Sequence, residues 1–312
     1  MSLSIKMGFL RRGLKAKVMS TELIMEANVS RKILFEALDT VKRFEERFSA
    51  YNEDSLVSLI NKNAGIEAVT CNQEECELFS EALKIAQRSK GKFDPTIGVL
   101  TQGLYGFGKT NKKIPAKQEL QKTKHLVDYR QLHVEANKVF LAKKGMRLDL
   151  GGIGKGYIAQ KVFLFLQSKG ATKILVNAGG EILTQGKNYR VAITNPFDIQ
   201  KYLGVIETKN TPFSISTSGD YERYIGSKKN HHILDNQTAT QNHYYSSLTV
   251  LKNGITATLL DAVATIAFNT PADELKNLSK EYDVAIIAVT DEGELLFENF
   301  KNLDIKACEI FP

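Results

Sequence analysis

The segment Arg147–Val162 constrains this chain more than any other stretch: RLDLGGIGKGYIAQKV runs from β-type residues through four glycines in six positions into a helical pattern. Glycine tolerates positive φ and close backbone approach, and a helix that starts directly behind such a turn has unpaired amides at its first positions. A strand, a glycine turn and a helix N-terminus together form a geometry in which amides approach a phosphate. A plain strand-to-helix turn is the competing reading. The glycine spacing is GGxGxG rather than GxGxxG and no acidic residue follows at the ribose-binding distance, which argues against a dinucleotide-binding Rossmann unit.

The rest of the chain alternates hairpins with separated helices. Lys17 to Ala27 reads as a strand, and Ile33, Leu34, Ala37, Leu38, Val41 and Phe44 recur at helical spacing between Ser30 and Phe48. Gln73 to Ser89 reads as a second long helix, stopped by Gly91. The stretch from Gly91 to Pro115 holds too many glycines and prolines for a regular element, and its apolar content predicts a structured loop. HLVDY, QLHVEANKVFLAK and RLDL read as strands, the second with a hairpin centre. KILVNAGGEILTQG gives two strands around a glycine turn, and YRVAITNP, FSISTSG and YSSLTVL give further strands. Helices are expected over Leu259 to Asn269 and Ala272 to Lys280, and VAIIAVT with GELLFE as a closing hairpin. This mixture predicts an α+β fold of largely antiparallel sheets with flanking helices. No composition break marks a boundary, so 1–312 reads as a single domain or two closely packed α/β subdomains.

With 43% apolar residues over 312 positions the chain can bury a large core. No apolar run reaches the roughly 18 to 20 residues of a spanning helix, so any membrane role comes through a partner. The net charge of +7 is spread along the chain rather than gathered with aromatics, which argues against nucleic-acid binding. Cys71, Cys76 and Cys308 fit neither a disulfide framework nor a zinc site and read as buried or incidental thiols. The start MSLSIKMGFLRRGLKAK lacks the apolar run of a secretory signal and a lipobox cysteine. The covered sequence therefore reads as cytoplasmic, or as exported with a leader trimmed.

Several pieces carry chemistry. GLYGFGKT, Gly103 to Thr110, matches the P-loop pattern literally, yet a proline-containing loop precedes it and NKKIP follows, where a P-loop needs a strand and a helix. Asp149 stands directly before the glycines, as a turn residue or as a carboxylate that needs a cation or donor beside it. Asp261 and Thr265 are four apart on an expected helix and share one face, a pair of hard oxygen donors suited to magnesium or a cap and its neighbour. His231 and His232 end a strand-like stretch, where a histidine serves as a general base or as a hydrogen-bonded structural residue.

In order along the chain stand MST, SAYNEDS, FDPTIG, LYGFG, DLGGIGKGYIAQ, VNAGGEI, STSGDYER, HHILD and DAVAT. This ordered set resembles the ApbE family of FAD:protein FMN transferases, from about Met19 to the C-terminal hairpin. The resemblance implies an FAD site lined by Met19, Tyr51, Phe93, Asp94, Asp149, Lys155 and Leu234, with Tyr51 packed on the flavin. It implies Mg²⁺ held by Asp261, Thr265 and the Gly152 carbonyl, and His232 as the base that activates an acceptor hydroxyl. The implied reaction moves FMN from FAD to a threonine or serine of an acceptor flavoprotein, such as a redox-pump or electron-transfer subunit, and releases AMP. The alternatives are an FAD pyrophosphatase and a non-catalytic FAD-binding protein. Two motifs depart from the family: HHILDNQTA carries Asn236 in place of proline and Ala239 in place of glycine, and the first motif carries Ser20 where glycine is common.

Overall fold

The computed structural model describes residues 13–18 and 21–311, so Met19 of the implied flavin site lies outside the described residues. The described residues divide into two compact units: those within 1–45, 155–219 and 244–312 form one, those within 46–154 and 220–243 the other.

The first unit is organised by an eight-stranded sheet whose spatial order follows the chain. Its strands are β1 (Gly13–Val18), β2 (Thr21–Ala27), β3 (Ile174–Ala178), β4 (Glu181–Gln185), β5 (Phe213–Gly219), β6 (Tyr245–Asn253), β7 (Ala285–Thr290) and β8 (Leu295–Glu298). Every neighbouring pair is antiparallel. The stretch read as one strand from Lys17 to Ala27 is thus a hairpin, with Val18 paired to Thr21.

Between β3 and β4 the turn is two glycines, Gly179 and Gly180, with φ of 63° and 98°. Two positive φ values in a two-residue hairpin loop are the type I′ arrangement, which matches the twist of the flanking strands. The turn fixes the register with Ala178 opposite Glu181, so Glu181 becomes the first residue of β4 and is fully buried.

Helices of this unit are α1 (Arg31–Phe48), which continues into the second unit, α2 (Gly154–Ser168), α3 (Ala257–Phe268) and α4 (Ala272–Tyr282). In α1 the buried residues Leu34, Ala37, Leu38, Val41 and Phe44 keep the spacing seen in the sequence. By contrast α3, ATLLDAVATIAF, is buried on nearly every side and packs on β4, β5 and β6. A helix apolar all round belongs in an interior, and Asp261 is carried in with it. A three-stranded sheet of Arg190–Asn195, Asp198–Thr208 and Ile305–Ile310 places Val191, Ile193 and Ile206 in one core cluster with Phe213, Ile215, Leu251 and Ile287.

The second unit is built from helices Leu56–Lys62, Gln73–Arg88 and Lys117–Thr123, a three-stranded sheet of Val69–Thr70, Lys138–Leu141 and Leu132–Glu135, and the short hairpin Tyr224–Ile225 with Ser227–His231. The structured loop after Gly91 contains a π-helix at Val99–Leu104, which buries Val99 and Leu100 beside Tyr105, Phe107 and Leu234. GLYGFGKT continues from it through turns, with neither the strand nor the helix of a P-loop.

Two expected strands do not form. In HLVDY the chain makes tight helical turns at Lys124–Leu126 and Tyr129–Gln131, because the Asp128 side chain accepts from the Arg130 amide and competes with a ladder. RLDL makes only one isolated bridge, Arg147 to Ile97. Its amides go elsewhere: Leu148 donates to Asn61 Oδ1 at 2.7 Å and Asp149 to the Pro95 carbonyl at 2.8 Å.

The cysteines also differ from expectation, since Cys71 and Cys76 are paired in a disulfide with Cα atoms 5.9 Å apart. Asn72 caps helix Gln73–Arg88 through a reciprocal capping box with Glu75. The cysteines therefore occupy the positions just before the cap and four residues into the helix, which face each other as a staple.

Candidate functional site

The first unit gathers three charged side chains. Glu181 Oε1 accepts from Lys155 Nζ at 2.6 Å, and the same ammonium stands 3.9 Å from Asp261 Oδ1, beyond hydrogen-bond reach. Asp261 Oδ2 accepts the Gly156 amide at 2.9 Å, and the Lys155 amide also supports this carboxylate. These two amides belong to the first turn of α2, so the helix N-terminus expected to meet a phosphate meets the protein's own carboxylate. Gly156 makes the contact sterically possible: a Cβ there would lie 2.2 Å from the Ala257 carbonyl oxygen and 2.8 Å from Asp261 Cβ.

Two buried carboxyl groups share one ammonium in this cluster, so one of them favours keeping a proton unless a cation takes its place. Burial raises the Asp261 carboxyl above its ordinary range, with Lys155 and the amides opposing. Burial, reinforced by Asp261, lifts Glu181 to about 8 against the pull of Lys155. Removing a carboxylate from water is costly unless a cation or donors replace the water, and a divalent cation would relieve both groups. Thr265 Oγ1 donates to the Asp261 carbonyl one turn back at 3.3 Å, which uses its proton and leaves its lone pairs as a hard donor. Among the described residues no group of three or more His, Cys, Asp or Glu forms a metal cluster. One carboxylate with hydroxyl and carbonyl oxygens nonetheless fits Mg²⁺, which keeps several of its waters.

The second unit holds the remaining residues. His231 and His232 separate cleanly: His231 is buried at 1% exposure and bonds the Asn242 carbonyl through Nε2 at 3.0 Å, a structural role. His232 is half-buried, its Nδ1 lies 3.2 Å from the Arg223 carbonyl, and its ring meets Phe107 edge-on. A carbonyl only accepts, so Nδ1 carries the proton and the neutral ring presents Nε2 as the basic nitrogen.

Tyr51 is half exposed and donates from its hydroxyl to the Phe107 carbonyl at 3.1 Å. Its ring covers Gly108, where a Cβ would come within 2.6 Å. Shielding of the hydroxyl end and the Asp149 carboxylate push this phenol up to about 12, so it stays protonated. Asp149 Oδ1 accepts the Gly151 amide at 2.8 Å and Oδ2 the Thr101 hydroxyl at 2.5 Å. Gly152 follows in the turn before α2, where the Ile153 and Gly154 amides return to the Leu150 carbonyl.

Phe93 and Leu234 are buried at 4% and 3% exposure, Leu234 within the core cluster around Tyr105 and Phe107. Asp94 is buried with its oxygens taken by its own surroundings: Thr96 amide and hydroxyl on Oδ1, the Tyr129 amide on Oδ2. Burial raises its pKa in spite of these bonds. Its direct work is to fix the loop around Phe93.

The departures at HHILDNQTA have a physical account. Asn236 Nδ2 donates to the carbonyls of Gly91 and Lys92, both at 2.9 Å, tying down the turn by hydrogen bonds. Ala239 adopts φ of 63°, the left-handed region that glycine occupies at less cost. Its amide bonds the Asp235 carbonyl at 2.8 Å and its carbonyl accepts from the Tyr105 hydroxyl at 3.2 Å, which holds it there.

Glu181 is the residue that sequence reasoning did not single out, although VNAGGEI contains it. The signal was present: an acidic residue directly after a two-glycine hairpin turn, at the head of an apolar strand.

Residues 15–288 match the model of the ApbE family. The chain is 30% identical over 233 residues to the FAD:protein FMN transferase of Treponema pallidum, covering 67% of this chain and 64% of that protein. To the FAD:protein FMN transferase of Escherichia coli K12 it is 26% identical over 264 residues, covering 80% of this chain and 74% of that protein. Together with the 62% covered of a Klebsiella pneumoniae relative, the Treponema alignment shows that the chain spans less than two thirds of some curated relatives. Among solved structures, the ApbE protein of Thermotoga maritima superposes with a TM-score of 0.85 at 25% identity, over 95% of this chain and 99% of that one. The flavin transferase ApbE of Vibrio cholerae gives 0.80 at 25% identity, over 92% and 96%.

Proposed function

The chain belongs to the ApbE family, and from that premise we propose that it is an FAD:protein FMN transferase acting on a threonine or serine of an acceptor flavoprotein. The observation that carries this reading is the buried cluster of Lys155, Glu181 and Asp261, two carboxyl groups around one ammonium, a setting that suits a divalent cation beside a diphosphate.

Asp261, Thr265 and the Gly152 carbonyl would hold Mg²⁺, which when bound would neutralise phosphate charge and make AMP a better leaving group. Lys155 adds a positive charge toward the phosphates, and Asp149 braces the turn before α2 through Thr101 and Gly151. Tyr51 offers its half-exposed ring to the flavin, with Leu234 in the apolar cluster around Phe107 and with Phe93 and Asp94 shaping the loop after Gly91. His232, protonated on Nδ1, takes the acceptor hydroxyl proton at Nε2. The acceptor oxygen then bonds to the FMN phosphorus as the bond to the AMP oxygen breaks, in line.

The acceptor is a flavin-carrying redox subunit. Among the described residues no helix is long and apolar enough to cross a membrane.

The test incubates the protein with FAD and Mg²⁺, with and without an acceptor carrying a threonine target, and follows AMP release and protein-bound flavin fluorescence. AMP with covalent FMN supports the transferase. AMP with free FMN alone points to a pyrophosphatase, and intact bound FAD to a storage protein; either result overturns the reading.

A further inference from the structure

Glu181 has a geometry that assigns it a task. It is fully buried at the head of β4, placed there by the Gly179–Gly180 turn, and bonds Lys155 Nζ at 2.6 Å. Ser216 follows Ile215, which pairs with Ile182, and gives the Glu181 carboxyl a weaker interaction than Lys155 does, since neither Glu181 Oε2 nor the Ser216 hydroxyl makes a well-formed hydrogen bond. The carboxylate is therefore held chiefly by its lysine. Asp261, in turn, cannot retreat from that lysine, because the Gly156 amide fixes its Oδ2.

We propose that Glu181 is a positioning residue that keeps the Lys155 ammonium off Asp261, leaving the Asp261 carboxylate open to a divalent cation. The inference rests on the magnesium reading above. A lysine ammonium is a compact charge on a flexible four-carbon stem, and between two buried carboxylates it settles where it makes its close contact. That contact is with Glu181 at 2.6 Å, while Asp261 Oδ1 stays 3.9 Å away. When Glu181 recedes, the ammonium closes on Asp261 and competes with the cation for the same oxygens.

The experiment measures Mn²⁺ binding to the full chain by the loss of the free-ion electron paramagnetic resonance signal, since manganese accepts the same oxygen ligands. The variants are Glu181→Asp, Lys155→Met and the two combined, each confirmed folded by circular dichroism. Glu181→Asp keeps the charge and shortens the reach by one methylene, so an effect of charge alone leaves affinity unchanged. The expected result is weakening on the order of tenfold, the range for groups that orient metal ligands, in the presence of Lys155 and none in the Lys155→Met background. Glu181→Gln, alone and with Lys155→Met, repeats the comparison with an isosteric side chain and is expected to show the same dependence on Lys155.

Unchanged Mn²⁺ affinity in Glu181→Asp, or equal weakening with and without Lys155, overturns the positioning role. A wild-type chain that binds no Mn²⁺ overturns the magnesium reading itself, a distinct outcome.

Discussion

The charged cluster of the first unit and the histidine of the second are held in place by different means. Asp261 and Glu181 sit in an apolar interior, on a helix buried nearly all round and at the head of a buried strand. Their positions follow from close packing and from two backbone constraints, Gly156 against Ala257 and the two-glycine turn. His232 stands half-buried at the end of a short hairpin, with its amide and Nδ1 both directed at the Arg223 carbonyl and its ring edge-on to Phe107. A rigid set of charges suits binding of cation and phosphate, which requires preorganised geometry. A ring oriented through Nδ1 suits the proposed proton transfer at its other nitrogen.

Substitution of His232 breaks the comparison most visibly. His232→Ala should lower the transfer rate by roughly 10² to 10⁴, the usual contribution of a general base, while stability falls by only about 1 kcal/mol, the scale of one lost hydrogen bond at a half-buried side chain. Rates of AMP release and a denaturation curve on the same sample check both halves.

The opposite pattern is expected at Gly156. An added Cβ at 2.2 Å from a backbone oxygen cannot be accommodated by a side-chain shift, so Gly156→Ala should cost about 3 kcal/mol in urea denaturation and weaken metal binding along with it.

The buried carboxylates sharpen the contrast through pH. Glu181 has a folded pKa of about 8, above its ordinary 4.5. The folded state therefore retains a proton that the unfolded chain releases, and its stabilising contribution is complete below about 4.5 and lost as pH rises toward 8. Metal-free protein should melt at a lower temperature at pH 8 than at pH 6, and Glu181→Gln should flatten this difference. Calorimetry at the two pH values reads it directly.

The smallest effect belongs to the loop of the second unit. Ala239→Gly relieves a left-handed alanine at φ of 63°, for a gain of up to about 1 kcal/mol. The loss of unfolded-state restriction reduces that gain by a few tenths. Chemical denaturation of the two proteins measures the balance.

Much of this architecture was legible in the residues. Periodicity located α1 through Leu34, Ala37, Leu38, Val41 and Phe44, and the glycine turn of VNAGGEI announced its hairpin. HLVDY and RLDL misled because Asp128 and Asn61 supply side-chain partners that pattern reading does not see. The glycine segment reads as a helix start whose amides meet a phosphate, and in the structure the Gly156 amide bonds the carboxylate of Asp261, 105 positions away in the chain. Glu181 escaped notice because its meaning depends on Lys155 and Asp261, which only the folded sheet brings to it. The cysteine pair was hidden for a related reason, since an odd count gave no hint that two of them flank a helix cap.

The most direct measurement of the central claim is covalent flavin on an acceptor protein, followed by in-gel fluorescence with FAD and Mg²⁺, for the wild-type chain beside folded Asp261→Ala. The account predicts a fluorescent acceptor and one AMP per flavin attached for the wild type, and neither for the variant. An Asp261→Ala chain that binds flavin and labels the acceptor at the wild-type rate would contradict it.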